Sequence, residues 1–560
     1  MADSSTGPAT PARHGVHIRL SAAATALLLC AAWILPGLIG HEPWKPDEAE
    51  AIGIAHNLLA GNGDWVVPRI AGETALDAPP LAYLVSATFS RLFSWALPFH
   101  DAARLASGVF MALAFWFTAL TARELLGREY GPITAIALLG CVGLLVRAHQ
   151  PIPDVPLLAG FALGLYGLAL APRRPFAGGF AFGTGLGVGF LARGLIAPVV
   201  LLAVAVSLGA FCRAWRRPRF LSTLAIATIA AAPWLLIWPV ALHRRSPILL
   251  QEWLAQDPVG AIFFARVAKH VHAWHEYLEL LPWYAWPVLP LAVWTLWHGR
   301  RGALAQPAVQ LPLATFLVML AILGVSTSAS DVSALPLLLP LTLLAVASLD
   351  SLRRGAISAL DWFGIMTFGL IAVLLWLGWI ALLTGWPSGI ARQLEAFQPG
   401  FDARFRWIPF LIAAGCSLLW AALVARTMPT TRRALVNWAG GMTLMWILAS
   451  TLWLSYVDAG KSYRSVMSEL ARAVPKGSRC MSSAGLGESQ RAMLEYYEGI
   501  VTFREELPQS KPDCDVLLTQ GTISQEQPVG SGWKKIWEGA RPGDNKERFR
   551  LYRRITPKKA

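Results

Sequence analysis

Three carboxylates cluster in "HEPWKPDEAEAIGIAHNLLAGNGDW", residues 41–65, directly after the first apolar run of the chain. Asp47 and Glu48 are adjacent, Glu50 follows, and the stretch after them has helical spacing that ends at Gly61. Asp47 could cap this helix, because a carboxylate satisfies the free N–H groups at a helix start. Asp47 and Glu48 are equally candidates for catalysis, because an acidic residue in this place could take a proton from a substrate hydroxyl as a general base. The spacing alone leaves both interpretations open.

Asp154 is a second acidic candidate, and it lies between two prolines in "RAHQPIPDVPLL" at the start of a later apolar run. It could also be a helix cap. If Asp154 and Asp47 lie at the same membrane surface, the pair suits general-base catalysis or the binding of a divalent cation. The sequence itself requires no cofactor, and no metal site is predicted.

Cationic residues near these carboxylates could hold an anionic substrate. Arg193 interrupts the apolar block 177–211, either as the tip of a simple hairpin or as a cation for a lipid phosphate. Arg266 and Lys269 lie in the polar segment 242–281 and are candidates for phosphate contacts, because basic residues pair readily with phosphate.

Histidines and aromatic residues in the same region have simpler explanations beside the functional ones. His272 and His275 could share a helix face, but a zinc site needs three or four ligands, so hydrated loop histidines are the simpler interpretation. Trp283 and Tyr284 lie in "LPWYAWP", where an apolar run begins. They fit the aromatic belt of a membrane interface, and stacking on a sugar is the alternative. We keep His275, Trp283 and Tyr284 as candidate substrate contacts.

The composition points to a membrane protein. Of 560 residues, 55% are hydrophobic and only 15% are charged, whereas soluble domains carry about 25% charged residues. The net charge of +14 comes mainly from Lys and Arg in short loops between apolar runs, as expected for cytoplasmic loops, with contacts to anionic head groups of membrane lipids in addition. No nucleic-acid-binding motif is present, so nucleic acid is not an expected partner.

Thirteen apolar segments are predicted to cross the membrane. They are 20–40, 103–126, 130–147, 153–171, 177–193, 195–211, 218–241, 282–299, 311–327, 333–350, 359–384, 406–426 and 434–456. The segment 80–97 is also apolar, but it contains Arg91, and counting it as a span would move the basic loops outside. We therefore predict a helix that lies along the membrane surface there.

This count predicts which parts lie on each side of the membrane. With residues 1–19 in the cytoplasm, the outer segments are 41–102, 148–152, 242–281 and the tail 457–560. An uncleaved first span is favoured over a signal peptide, because the polar leader is long and no small-residue cleavage site ends the run.

The tail is predicted to be a small soluble α/β domain. Strand-like runs are 479–484, 499–504, 514–520, 534–539 and 548–555, and helical spacing covers 463–474 and 487–499. Cys480 and Cys514 could form a disulfide if the tail lies outside the cytoplasm. The other four cysteines lie in or beside apolar runs and are interpreted as small core residues.

Several of these segments, in order, resemble the GT-C membrane glycosyltransferases, specifically the branch of the aminoarabinose transferases and protein O-mannosyltransferases. The matching pieces are 46–87, 102–113, 149–161, 187–202, 231–242, 275–290 and 334–345. The most specific is the acidic pair followed by "GNGDWVVPRIAG" and Pro-Pro, whereas the individual apolar matches have little specificity.

The resemblance implies a polyprenyl-phosphate sugar donor and transfer on the periplasmic face of a bacterial inner membrane. It implies that Asp47 is the principal catalytic carboxylate and Asp154 the second, with interfacial helices in the segment 41–102. The chain also departs from the family pattern. Asp77 and Ala78 stand where Glu-Lys is usual, so one donor-phosphate contact is missing. Arg193 stands in place of a lysine and keeps the charge.

A later outer turn differs too, with Asp331 and Leu337 where a basic residue and a tyrosine are usual. The expected function is therefore sugar transfer to an envelope acceptor, with a glycolipid such as lipid A favoured. A protein O-glycosyltransferase of the same architecture is the second hypothesis. A non-catalytic transporter of lipid-linked sugars is the third, but the charges lie at the ends of the apolar runs rather than deep within them.

Overall fold

The computed structural model describes residues 21–60, 64–257, 259–260, 274–299, 302–325, 330–426, 431–507, 513–523, 529–544 and 546–555. The first helices are α1 (Ala22–Ile34), α2 (Asp47–Leu59), α3 (Leu81–Leu92), α4 (Phe99–Leu126), α5 (Tyr130–Leu139), α6 (Asp154–Leu170), α7 (Pro175–Arg193), α8 (Ile196–Phe211), α9 (Pro218–Arg245) and α10 (Pro247–Gln256). The later ones are α11 (Trp274–Tyr284), α12 (Val288–His298), α13 (Pro307–Val325), α14 (Leu338–Ala347), α15 (Arg354–Thr384), α16 (Ser388–Phe397), α17 (Trp407–Arg426), α18 (Thr431–Thr451), α19 (Leu454–Lys461), α20 (Arg464–Ala473) and α21 (Glu488–Glu498).

The apolar segments of the sequence are helices. Among the described residues, six helices are long and apolar enough to cross a membrane, or eight if each of two bent pairs is one span. Five shorter apolar helices accompany them. The segment 80–97 forms α3, which has twelve residues with Arg91 in its last turn and is not one of the five shorter apolar helices.

Helices α6 and α7 form an unusually close antiparallel pair. A Cβ atom at Gly160 would lie 2.7 Å from the Gly189 nitrogen, and one at Gly185 would lie 2.5 Å from the Gly164 nitrogen. Small residues let helix backbones approach this closely inside a membrane. Because the helices run in opposite directions, the first residue of α6 and the last residue of α7 meet at the same end of the pair.

The C-terminal residues form an α/β unit. Its strands are β3 (Met481–Ala484), β4 (Thr502–Arg504), β5 (Val516–Gly521), β6 (Trp533–Gly539) and β7 (Arg548–Arg554). They pair in the order β4-β3-β5-β7-β6. Strand β3 is parallel to β4 and β5, whereas β7 is antiparallel to β5 and β6. A disulfide joins Cys480 to Cys514. All five strand-like runs and both helical runs of the tail are present within three residues of the predicted bounds.

This unit packs directly on α2 and on the short hairpin β1 (Arg69–Ile70) and β2 (Glu73–Thr74). One apolar core contains Ala49 and Ile52 of α2 together with Ala492 and Met493 of α21. A Cβ atom at Gly53 would lie only 2.7 Å from the Ala492 Cβ. The helix that begins with Asp47 is therefore held between the membrane helices and the C-terminal unit.

Candidate active site

Asp47 is the first residue of α2, and its side chain does not cap the helix. No side-chain cap bond is present at this helix start. Instead, the Arg147 Nη1 donates to Asp47 Oδ2 over 2.6 Å. The side chain of Asp47 remains 40% exposed, so it can be reached by a substrate. The spacing left open whether Asp47 caps the helix or acts as a general base, and the geometry argues against the helix cap.

Arg147 is shared between two carboxylates. Its Nε and Nη2 donate to Asp331 over 2.9 and 3.1 Å. The Gln150 side chain accepts from Nη1 over 3.2 Å. The Tyr284 hydroxyl donates to the main-chain oxygen of Asp331 over 2.5 Å and thereby fixes this turn. Residues from three distant parts of the chain thus orient the carboxylate of Asp47.

Asp154 and Arg193 face one another at the shared end of α6 and α7. The Arg193 Nε lies 3.7 Å from Asp154 Oδ1. Asp154 is buried, with 3% exposed, whereas Arg193 is half-buried. The guanidinium of Arg193 also interacts electrostatically with Asp47, Asp77 and Tyr83. Asp47 and Asp154 therefore belong to a single cluster, in which both carboxylates interact with Arg193.

The backbone that carries Arg193 is fixed by a carboxylate from the following outer segment. Gly194 has a φ of +74°, and a Cβ there would lie 2.1 Å from Asp257 Oδ2. Asp257 accepts hydrogen bonds from the backbone nitrogens of Leu195, Val259 and Gly260 over 2.8 to 3.0 Å. Only glycine combines this conformation with this close approach. The Arg193–Gly194 turn is consequently a fixed feature, not a loose hairpin tip.

Two further groups of this cluster are perturbed by their surroundings. Burial, followed by the carboxylates of Glu488, Asp47 and Asp77, raises the pKa of Glu50 to about 7. Burial also raises the pKa of Tyr83, whose ring is 5% exposed. The Tyr83 hydroxyl interacts electrostatically with Arg193, Asp77, Glu50 and Asp154. The environment is thus polar, mostly acidic and partly desolvated, as is common where chemistry occurs.

Glu48 does not have the role that its place beside Asp47 predicts. Its side chain is fully buried. It accepts from Arg104 Nε over 2.5 Å and from the Trp44 nitrogen over 3.0 Å. Arg104 also donates to Asp101 over 2.7 Å. A buried, paired carboxylate cannot reach a substrate, so the prediction of a catalytic Glu48 is wrong and the residue anchors α2 on α4.

Of the other residues predicted to contact the substrate or the donor phosphate, only some lie near the Asp47 cluster. Tyr284 joins the cluster through its bond to Asp331. Trp283 is 79% exposed on the outside of the helix bundle, as the interface-belt interpretation expects. His275 is exposed and packs edge-on against Trp274. Arg266 and Lys269 lie outside the described residues, as does His272.

Arg147, Tyr83 and Asp331 are not among the residues whose types and spacing predict a function. A signal for Arg147 was present, because it precedes a predicted outer turn, where the positive-inside rule disfavours a basic residue. Asp331 was noticed only as a departure from the family pattern. Tyr83 carried no signal, since a tyrosine within an apolar helix is usually a core residue.

The arrangement can activate a nucleophile beside an anionic leaving group. An exposed carboxylate on a fixed helix start can accept a proton, and a guanidinium beside it can stabilise developing negative charge. Among the residues that the structure describes, no group of three or more His, Cys, Asp or Glu side chains could hold a metal ion.

Comparison with known proteins shows the family of this chain. The undecaprenyl phosphate-alpha-4-amino-4-deoxy-L-arabinose arabinosyl transferase of Pseudomonas aeruginosa (strain UCBPP-PA14) is 30% identical over 428 residues, which are 74% of this chain and 72% of that protein. The chain belongs to this family. The transferase of the same name from Aeromonas hydrophila is 26% identical over 467 residues, which are 80% of each chain. Residues 77–238 also match the family described as dolichyl-phosphate-mannose-protein mannosyltransferase.

Solved structures show that the family fold is present. The crystal structure of ArnT from Cupriavidus metallidurans bound to undecaprenyl phosphate aligns with a TM-score of 0.64 and 17% identity, over 94% of this chain and 97% of that one. Its apo state aligns equally well, with a TM-score of 0.64. The resemblance to GT-C membrane glycosyltransferases is thereby confirmed, and the chain is a helical membrane protein of this fold.

Proposed function

We propose that this protein transfers a sugar from an undecaprenyl-phosphate donor to an envelope glycolipid of the lipid A type. Family membership supports the donor class, since the relatives are named as undecaprenyl phosphate-aminoarabinose transferases. The observation that carries the proposal is the joining of Asp47, Arg147, Asp154 and Arg193 in one cluster.

In the proposed reaction, the acceptor oxygen forms a bond to the anomeric carbon. The bond from that carbon to the phosphate oxygen breaks, and its electron pair leaves with the lipid phosphate. If the acceptor is a hydroxyl, Asp47 takes its proton. Arg193 stabilises the growing charge on the phosphate, and Asp154 holds Arg193 in place. If the acceptor is itself a phosphate, it is already anionic and Asp47 positions it instead.

The same proposal includes thirteen membrane spans. The six long apolar helices, the two bent pairs and the five shorter apolar helices correspond one for one to the thirteen predicted segments. The proposal divides this bacterial inner-membrane protein into three parts. These are a cytoplasmic segment, residues 1–19, a membrane domain, residues 20–456, and a periplasmic domain, residues 457–560. The contacts of α2 with α21 support one common face for the outer segment 41–102 and the tail.

A protein acceptor is the second candidate function. It is favoured by the match of residues 77–238 to the protein mannosyltransferase family. Both functions use the same donor chemistry and the same carboxylate, so they differ only in the product.

The test is mass spectrometry of lipid A, other glycolipids and envelope glycoproteins from a deletion strain. The strain is complemented with wild type, with Asp47→Asn, or with Glu252→Gln as a control at an exposed carboxylate. We expect a sugar-sized mass on a glycolipid with wild type and with the control. Asp47→Asn should lower its formation by roughly 10²- to 10⁴-fold, the usual effect of losing a general base. A product on protein alone would favour the second function, and full rescue by Asp47→Asn would exclude Asp47 from the chemistry.

A further inference from the structure

The segment 42–45, here called the strap, leads directly into the start of α2 and lies against the C-terminal part of the chain. Asp458 of α19 accepts from the Glu42 nitrogen over 3.0 Å and from the Trp44 indole nitrogen over 3.1 Å. Trp44 also forms a single antiparallel β-bridge with Ser462. The strap is therefore held by residues that lie more than 400 positions later in the sequence.

The last residue of the strap, Lys45, pairs with two carboxylates of the C-terminal unit. Its Nζ lies 3.3 Å from Glu547 Oε1 and 3.5 Å from Asp544 Oδ2, in the loop between β6 and β7. Fully exposed ion pairs contribute little, because water screens them. Here the lysine side chain is 26% exposed and the two carboxylates are only 17% and 13% exposed. Lys45 thus ties the strap to the C-terminal unit by a largely shielded contact.

The two carboxylates are themselves fixed by other groups. The Arg541 side chain is 1% exposed, and its Nη2 pairs with Asp544 and donates to Glu547 Oε2 over 2.8 Å. Its Nη1 donates to the Gly460 oxygen over 2.7 Å. The Tyr463 hydroxyl donates to Glu547 over 3.1 Å. The ammonium group of the strap therefore meets carboxylates that are already oriented.

The strap continues directly into the hydrogen bonds of the first turn of α2. The Trp44 oxygen accepts from the Ala49 nitrogen over 3.1 Å, and the Pro46 oxygen accepts from the Glu50 nitrogen over 3.2 Å. Pro46 is the single residue between the lysine and the proposed base. Because the proline ring fixes φ, a shift of the lysine is passed on to the helix start and is not absorbed between them.

We propose that Lys45 is a positioning residue for Asp47. By binding Glu547 and Asp544, it lets the C-terminal unit set the direction in which the Asp47 carboxylate faces Arg147. In this role Lys45 acts through Asp47 and not on the substrate. The inference rests on the proposed function, in which Asp47 is the general base. It means that the loop between β6 and β7 controls the rate of sugar transfer.

Steady-state kinetics of the full-length protein in nanodiscs tests this role. Lys45→Met should lower kcat about 10- to 100-fold, because a misplacement of about 1 Å can cost that much, and should leave the KM for the donor near the wild-type value. Lys45→Arg keeps the charge and should retain most of the activity. Lys535→Met is the matched control, since Lys535 pairs with Glu538 over 2.9 Å within the C-terminal unit, and it should keep the wild-type kcat.

Two kinetic results would overturn the assignment. An unchanged kcat in Lys45→Met would show that the contact does not orient the base. A raised KM for the donor at unchanged kcat would instead mean that Lys45 binds the donor phosphate.

Glu547→Gln makes the same test from the C-terminal side, and it serves if Lys45→Met is unstable. If both residues act through one ion pair, the double variant should lose no more activity than Lys45→Met alone. Losses that multiply in the double variant would show two independent effects and contradict the proposal.

Backbone hydrogen exchange measured by mass spectrometry reports on the helix start without any need for sugar transfer. The peptide that contains Ala49 and Glu50 should exchange about fivefold faster in Lys45→Met, as for the loss of one stabilising contact. It should exchange as in wild type in Lys45→Arg and Lys535→Met. Unchanged exchange in Lys45→Met would overturn the inference. Faster exchange in a protein that transfers no sugar would contradict the proposed function and not the hold of the C-terminal unit on α2.

Discussion

At the scale of residues, the site depends on how one arginine divides its hydrogen bonds. Arg147 bonds both to Asp47 and to Asp331, and Arg193 lies beside Asp154. The family pattern has a basic residue near the position of Asp331, so the acidic residue here is a departure from that pattern. In the structure, Asp331 pairs with Arg147.

Tyr83 contributes its hydroxyl to the electrostatic environment of the proposed donor site. Its ring is buried, and its hydroxyl interacts with Arg193 and Asp154. We expect Tyr83→Phe to raise the KM for the donor by about three- to tenfold, as for the loss of one hydrogen bond, with kcat nearly unchanged. Steady-state kinetics with purified protein measures this. A lower kcat at unchanged KM would instead place Tyr83 in the chemical step.

The raised pKa of Glu50 predicts that the stability of the folded protein depends on pH. The pKa of the Glu50 carboxyl is about 7 in the folded protein, whereas its ordinary value is 4.5. Between these values the folded state binds more protons than the unfolded state, so this group lowers stability as pH rises from about 4.5 through 7. Glu50→Gln should therefore raise Tm relative to wild type at pH 8 and have little effect at pH 5. Thermal scans in detergent measure the difference, and an equal change at both pH values would contradict it.

At the scale of elements, the close pair α6–α7 brings the second carboxylate to its cation. Their glycines remove the side chains that would otherwise separate the backbones. Asp154 begins one helix and Arg193 ends the other, so the distance between their charges depends on this packing. A change near the middle of the membrane should therefore affect chemistry at the surface.

Gly185→Ala tests this dependence. Its added Cβ would lie 2.5 Å from the Gly164 nitrogen, and such overpacking typically costs about 1–3 kcal/mol. We expect a lower Tm and a loss of transfer activity that persists below the unfolding temperature. Gly415→Ala is the matched control in α17, where a Cβ would meet nothing within 4 Å. Equal behaviour of the two variants would show that the packing of α6 on α7 does not position the site.

At the scale of the whole molecule, the C-terminal unit is fastened to the outer segment that carries the proposed base. Arg491 of α21 is buried and donates to Glu73 over 2.8 Å, and Arg504 donates to the same carboxylate over 2.8 Å. Glu495 accepts from Asn57 over 2.9 Å. These contacts require the two regions to lie on one side of the membrane, because neither could cross it to reach the other.

Cysteine labelling of intact cells tests this arrangement. Lys476→Cys is an exposed position in the tail, and Arg353→Cys is an exposed position in a loop predicted to be cytoplasmic. A maleimide that does not cross membranes should label the first and not the second, and both should react after the cells are permeabilised. Labelling of Arg353→Cys alone would reverse the proposed topology.

By itself, the sequence determined the elements. Hydropathy and loop charge predicted the apolar helices, and period-two and period-3.6 patterns predicted the strands and helices of the tail, because both depend on neighbouring residues. Only the tertiary structure decided which side chains form ion pairs with one another. Asp47 and Glu48 are adjacent in sequence, yet α2 turns one towards Arg147 and buries the other against Arg104. Those two pairings join residues that are 100 and 56 positions apart, a separation at which spacing carries no information about contact.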